Sequence, residues 1–288
     1  MSSQSQIEKI KQLREITGVG FKDCKIAIDE TNGNIDKAID FLRTRGIAKA
    51  NKKMERVAAD GLISIYQSDS NYVMVEINSE TDFVAKNQAF INFVKEVTEI
   101  CFKSKGDMEK TVHSKMKNKK TINENLVDLI SKIGEKITFR RCAYINNNES
   151  ENFSYIHSPL KENIGKLGVL LKVKNPSKVD IKDLGHKLTM HIAAMNPLSV
   201  DVNDLDPKLI AKERTIIEQE VKNSGKPSSV SQKIADGKIK KFIEENSLLN
   251  QIWILDPKKK VRQILQETFG KNEFKISEMK RFKVGEGI

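Results

Sequence analysis

The chain has 288 residues and a mass of 32.7 kDa, a length that fits two or three structural units rather than one. Lys and Arg total 50 against 39 Asp and Glu, a net charge of +11 with a pI near 9.3, which suits work beside a polyanion or an acidic partner. No run approaches the roughly 18 apolar residues of a membrane helix. Met1-Ser2-Ser3-Gln4-Ser5-Gln6 lacks the basic start and apolar stretch of a leader. Cys24, Cys101 and Cys142 are odd in number and far apart, so a reduced cytosol is expected rather than a disulfide scaffold.

Residues 7–45 read as three short helices. Ile7, Ile10, Leu13 and Ile16 recur at helical spacing, and Thr17-Gly18-Val19-Gly20 breaks the run. Phe21, Cys24, Ala27 and Ile28 make a second stripe, which Asn32-Gly33-Asn34 stops. Asn34 is placed to cap a third helix carrying Ile35, Ala38, Ile39 and Leu42, with Gly46 as its end. Residues 1–46 are expected to form a small docking module, because so short a unit buries only a modest core. The basic stretch 47–56 reads as a linker helix.

Residues 57–148 read as a first α+β subdomain. Ala59, Gly61, Ile63 and Ile65 share one face of a strand, and Val73, Val75 and Ile77 share a face of the next. Ser68-Asp69-Ser70-Asn71 is the turn between them. The period then becomes helical, and Phe90, Phe93, Val94, Val97, Ile100 and Cys101 predict one helix over 82–102. Seven lysines crowd 103–120, a helix is predicted over 121–134, and a strand runs from Lys136 to Ile145.

The pattern then repeats over 149–205 and 247–288. Phe153–His157 and Lys166–Val173 predict a second hairpin with a longer loop. Ile181, Leu184, Leu188, Ile192 and Met195 mark a helix, and Phe274–Val284 a returning strand. Residues 206–246 interrupt this copy. Asp206-Pro207 opens a helix with Ile210, Ile217 and Val221, Ser224-Gly225-Lys226-Pro227-Ser228 reverses the chain, and Ala235, Ile239, Phe242 and Ile243 stripe a second arm. This predicts a projecting antiparallel helical hairpin and leaves open a homodimer formed through it. The chain returns through Ile252-Trp253-Ile254-Leu255 to a helix near 258–268.

Chemistry is sparse. Gly225-Lys226-Pro227 lacks the glycine and Ser/Thr of a phosphate loop, and Gly18-Val19-Gly20 follows a helix, so it reads as a turn using positive φ. His186 and His191 are five residues apart and point in different directions on one helix; His113 and His157 stand alone. No paired carboxylates or nucleophile triad emerge, so no catalytic, cofactor or metal residues are assigned and an enzyme is not expected. The lysine run reads as a solvated face or as a polyanion contact. Thr81 reads as a helix N-cap beside Asp82. Phe83 has two readings: a core residue in line with Phe90, or an exposed wedge at a helix start with a carboxylate beside it.

Several segments together resemble the elongation factor Ts family. They are Leu13-Arg14-Glu15, Thr17-Gly18-Val19-Gly20, Asp23-Cys24-Lys25, Asn32-Gly33 with Ala38-Ile39, and Val57-Ala58-Ala59-Asp60-Gly61. Thr81-Asp82-Phe83-Val84-Ala85, Met190-His191-Ile192-Ala193-Ala194 and Val284-Gly285-Glu286-Gly287-Ile288 complete the set. The resemblance implies an α+β fold: a three-helix ubiquitin-associated-like module, a core of two related α+β subdomains with antiparallel sheets, and an inserted coiled-coil hairpin. It implies guanine-nucleotide exchange on elongation factor Tu in the bacterial cytoplasm, or in an organelle matrix, without cofactor, covalent catalysis, direct nucleic-acid contact or membrane. Thr81, Asp82, Phe83 and Val84 would then approach the partner's nucleotide and magnesium, with His157 as a further contact. The loop Ser158–Ile164 is longer than the family pattern, and the chain stops at Ile288, where many members add a further helix. The competing reading is a basic RNA-binding protein of the translation apparatus.

Overall fold

Three amphipathic helices open the chain: α1 (Ser3–Thr17), α2 (Phe21–Glu30) and α3 (Ile35–Lys53). The computed structural model describes residues 3–17, 19–53, 55–223, 228–270 and 272–288, so Gly18 and the reversal at Ser224–Pro227 lie outside the described residues. Ile10, Leu13, Cys24, Ala27, Ile28, Ala38 and Leu42 form the shared core. Asn34 caps α3 as its position predicts, its Oδ1 accepting from Lys37 N at 3.0 Å.

Four expectations fail in this region. Ile7, Ile16 and Phe21 are exposed rather than in the stripe core. Gly20 sits at φ −62°, so the turn does not use positive φ there. Helix α3 does not stop at Gly46 but runs to Lys53, and it absorbs most of the stretch predicted as a separate linker helix. The reason at Gly46 is packing. A Cβ there would meet Ser131 Oγ at 3.1 Å, so the glycine allows a close approach between helices rather than a stop.

The hairpin β1 (Asp60–Ser68) and β2 (Asn71–Ser79) turns through Asp69 and Ser70, both at positive φ. A four-residue helix α4 (Asp82–Ala85) follows, then α5 (Gln88–Lys103), α6 (Met108–His113), α7 (Ile122–Ile133) and β3 (Ile137–Ile145). The single helix predicted over 82–102 is thus two. Asn87 is extended, and its side chain caps α5 by accepting from Ala89 N and Phe90 N. The second copy runs β4 (Glu151–His157), β5 (Ile164–Gly165), β6 (Leu167–Lys174) and α8 (Lys182–Met195). The hairpin arms α9 (Pro207–Lys222) and α10 (Ser228–Glu245) come next, then β7 (Ile252–Trp253), β8 (Asp256–Lys260), α11 (Val261–Phe269) and β9 (Lys275–Lys283). Helix α11 starts later than predicted because Asp256–Lys260 pairs with β7 first.

The sheets are antiparallel, ordered β3-β2-β1-β5 and β4-β6-β9, so the fold is α+β. Leu62, Val73, Val75, Ile77 and Phe139 pack under α5 and α7. On the opposite face, Ile63, Ile65, Met74 and Ala143 meet Leu170 and Phe282 of the second sheet. Val169, Leu171, Val173 and Ile276 then carry α8 and α11 on their far side. The layers are helix, sheet, sheet, helix, which is why both faces of β1 and β2 are apolar. Gly168 makes the contact between sheets possible: a Cβ would lie 2.7 Å from Met74 Sδ and 2.8 Å from Ile63 Cγ2. Among the described residues the hairpin core is a narrow stripe of Ile217, Val221, Ala235 and Ile239, and it is laced by Arg214–Asp236 and Lys238–Glu220 pairs.

Candidate functional site

Strand β2 delivers the chain to the edge of the first sheet, and the residues beyond it divide sharply. Val84 and Ala85 are buried in the core beneath α5, while Phe83 is 79% exposed, the highest value among the large apolar side chains described. Of the two readings of Phe83, the core one does not hold: the ring stands exposed at a helix start beside Asp82. An exposed Phe forgoes about 1.5–3 kcal/mol of burial, so its placement is unexplained by folding alone. Thr81 is the N-cap residue of α4, but its side chain does not cap. Its hydroxyl instead donates to Glu135 Oε1 at 2.8 Å. Lys86 Nζ lies 2.7 Å from Asp82 Oδ2, and this exposed pair holds the Asp82 carboxyl below its ordinary value.

His157, at the end of β4, is exposed, and its Nδ1 lies 3.0 Å from Tyr155 Oη. It lines an open hollow of about 340 Å³ with Asp60, Ser158, Lys166 and Lys283. Lys166 joins this hollow to the Phe83 segment. Its ammonium pairs with Asp60, donates to Gly61 O at 2.9 Å, and further lowers the Asp82 carboxyl through space. Asp82 and His157 come from different copies of the repeat, and Lys166, which lines the hollow beside His157, also acts on the Asp82 charge.

The long loop after His157 explains the convergence. Ile164 and Gly165 leave the second sheet and pair with Ser64 and Ile63 on the edge of the first. Asn163 O also accepts from Ile65 N at 2.9 Å. Sequence periodicity missed this two-residue strand because it is too short to show a period.

The remaining histidines separate by burial. His113 and His186 are exposed, and His191 is wholly buried. Ile254 N donates to His191 Nδ1 at 3.4 Å, and Nε2 lies 2.9 Å from Gln251 Oε1, so the ring is the neutral Nε2–H tautomer. It stacks on Trp253 at 5.1 Å, and burial holds its pKa below the ordinary value. His191 is a core residue that ties α8 to the hairpin base.

Three further features escaped the sequence. Cys101 and Cys142 are not far apart in space: the Cys142 thiol, which donates to Gly106 O at 3.0 Å, acts together with burial to push the Cys101 thiol up. Met195, expected in the core stripe of α8, is exposed and lines a hollow of about 450 Å³ with Ile252, Lys241 and Glu244 at the hairpin base. The signal was Asn196, a left-handed C-cap that turns the helix end outward. In the lysine run, Lys110 and Lys120 pair with Asp107 and Asp128, so part of that charge is neutralised within the fold. Among the described residues no helix is long and apolar enough to cross a membrane, and no group of three or more His, Cys, Asp or Glu side chains is placed to hold a metal ion.

A family model described as Elongation factor TS matches residues 80–286. Elongation factor Ts of Gluconobacter oxydans is 38% identical over 280 residues, covering 97% of this chain and 91% of the relative. The Rhodospirillum centenum protein of the same name is 39% identical over 284 residues, and that of Bartonella tribocorum 40% over 285. Both alignments cover 97% of this chain and 92% of the relative.

Proposed function

The chain belongs to the elongation factor Ts family, and from that premise we propose that it is the nucleotide-exchange factor of elongation factor Tu. It binds the GDP-loaded GTPase and promotes release of GDP and Mg²⁺ so that GTP rebinds. No bond is made or broken, so the chain is not an enzyme in the covalent sense and needs no cofactor of its own. The work is done in the cytoplasm.

The mechanism is linkage. A factor that binds the nucleotide-free GTPase more tightly than the loaded form must weaken nucleotide binding by the same ratio. Equal affinity for both forms would shift nothing. The preference therefore has to come from contacts that exist only when the nucleotide site is opened. The observation that carries the reading is the exposure of Phe83, held out on a helix start beside the Asp82 carboxylate. Phe83 inserts between elements of the partner and separates them, while Asp82 disturbs the magnesium surroundings. Thr81 and Val84 fix the base of the wedge, and His157 makes a second contact across the Lys166 hollow. Burying one Phe is worth about 1.5–3 kcal/mol, or roughly one to two decades in release rate.

Larger accelerations require anchors elsewhere. Residues 1–46 serve as a docking module, joined through 47–56 to a first subdomain over 57–148. A second spans 149–205 and 247–288, with 206–246 as the inserted hairpin.

Stopped-flow release of fluorescent GDP from the GTPase tests the reading. Phe83→Ala should slow accelerated release by about tenfold or more while the melting temperature holds; unchanged acceleration removes Phe83 from the mechanism. Steep, salt-sensitive RNA binding with no effect on GDP release would instead favour the RNA-binding alternative.

A further inference from the structure

The last backbone pair of the first sheet joins Ser79 of β2 to Ile137 of β3. Beyond it the two chains remain fastened, but by carboxylates. Glu80 Oε1 accepts from the backbone N–H of Lys136 at 2.6 Å. One step further, Glu135 reaches back across: Oε2 accepts from the backbone N–H of Thr81 at 3.0 Å and Oε1 from its hydroxyl at 2.8 Å. The two side chains extend the ladder by two rungs where the main chains no longer reach each other. Ser79 Oγ donates to Thr81 O at 3.0 Å and closes the third polar group of that residue.

Both ends of the clamp are themselves fixed. Gly134, at φ 89°, ends α7 in the left-handed conformation and turns Glu135 toward Thr81. Arg56 Nη1 lies 3.3 Å from both oxygens of Glu80. Thr81 is fully engaged by these bonds, and Phe83 lies two residues on with no packing of its own to hold it. A free aromatic on a loose stem would lose that freedom on insertion, at a cost subtracted from binding. A stem already ordered has less to lose.

We infer that Glu135 is a positioning residue for Phe83: its two-pronged grip on Thr81 fixes the direction in which the wedge leaves the sheet. This rests on the exchange reading above. Glu135 acts through Thr81. It lies in the turn before β3, outside the segment that carries the wedge.

The test combines exchange kinetics with a local probe. Glu135→Ala should lower the maximal rate of GDP release about tenfold, with the half-saturating concentration and the melting temperature nearly unchanged. Thr81→Val, which keeps the backbone bond, should cost about threefold. Glu135→Gln, which keeps one acceptor for Thr81, should recover part of the loss. In a Phe83→Ala background, Glu135→Ala should change nothing further. The Thr81 amide should be protected from hydrogen exchange in the parent chain and lose that protection in Glu135→Ala. The inference is overturned if Glu135→Ala releases GDP as fast as the parent while Phe83→Ala is slow. It is also overturned if the two losses multiply, or if Thr81 protection is unaltered. If Phe83→Ala itself is as fast as the parent, the exchange reading of Phe83 fails first, whatever Glu135 does to the amide.

Discussion

Strands β2 and β6 hold the same place in their sheets, each the centre of an antiparallel triplet whose third strand returns after a helical insertion. Each ladder to the returning strand shifts register once, at Glu76/Ile77 and at Lys172/Val173. The residues at these matched irregularities differ in kind. Glu76 is wholly buried and receives Arg140 Nη1 at 3.0 Å, Arg141 Nε at 2.5 Å, Asn78 Nδ2 at 3.0 Å and Gly285 N at 3.0 Å. Lys172, opposite Glu278, is only partly buried and donates to Asn146 Oδ1 at 2.5 Å. The exits from the two central strands differ as well. After β6, the Asn175 side chain ties its own loop to β4, donating to Val179 O at 2.7 Å and to Glu151 Oε1 at 2.6 Å, and Ile181 closes the core. After β2, the chain carries Phe83 into solvent. One backbone plan thus serves two ends: the first copy carries the exposed Phe83 and the buried charge cluster around Glu76, while the strand exit of the second closes onto an apolar core at Ile181. The same backbone plan carries different side chains at its two strand exits.

The largest expected effect is at the buried cluster. Glu76→Ala leaves two partly buried arginines without their carboxylate and should cost about 3–5 kcal/mol in urea unfolding. Lys172→Ala, at the matched position, should cost under about 1 kcal/mol. Equal losses would show that the two irregularities do the same job.

The exits should dissociate in the opposite sense. Ile181→Ala should lose about 2–5 kcal/mol of stability and keep its exchange activity in proportion to folded protein. Phe83→Ala should do the reverse, so a drop in melting temperature for Phe83→Ala would move that residue back to the core.

A smaller effect is expected at Gly185, where α8 crosses Phe153 so closely that a Cβ would lie 2.4 Å from the ring. Gly185→Ala should cost about 1–3 kcal/mol through forced repacking in the second copy, read by thermal melting.

Two buried groups set a pH dependence, one in each copy. Burial would raise the Glu76 carboxyl, but the Gly285 N–H, Arg141 and Asn78 outweigh it and lower the pKa from the ordinary 4.5. The unfolded chain therefore takes up that proton first, and the stabilisation present above pH 4.5 is lost as pH falls through the lowered native value. Burial likewise lowers His191 from its ordinary 6.5, so its contribution begins to fall away below pH 6.5. Stability should decline gently from pH 7 to 5 and steeply below 4.5. Glu76→Gln should flatten the steep part, and a profile flat to pH 4 in the parent would contradict both assignments.

The sequence alone determined what depends on neighbours a few residues away. The stripe of Phe90, Val94, Val97 and Cys101, the alternation through Val73, Val75 and Ile77, and Asn34 at its cap are local patterns, and the chain obeys them. The repeat was legible for the same reason, and so was the motif around Phe83. Tertiary structure decided everything that needed a distant partner. Whether Phe83 joined Phe90 in the core turned on the break at Lys86 and Asn87, where Lys86 closes one helix and Asn87 caps the next, since a continuous helix would have carried both on one face. That Thr81 would meet Glu135, that Glu76 would gather Arg140, Arg141 and the main chain at Gly285, and that Ile164 would cross to the first sheet are pairings between segments far apart along the chain. Their energies exist only after the layers close, because hydrogen bonds and charge pairs act over a few ångströms while periodicity records only which face of an element is apolar.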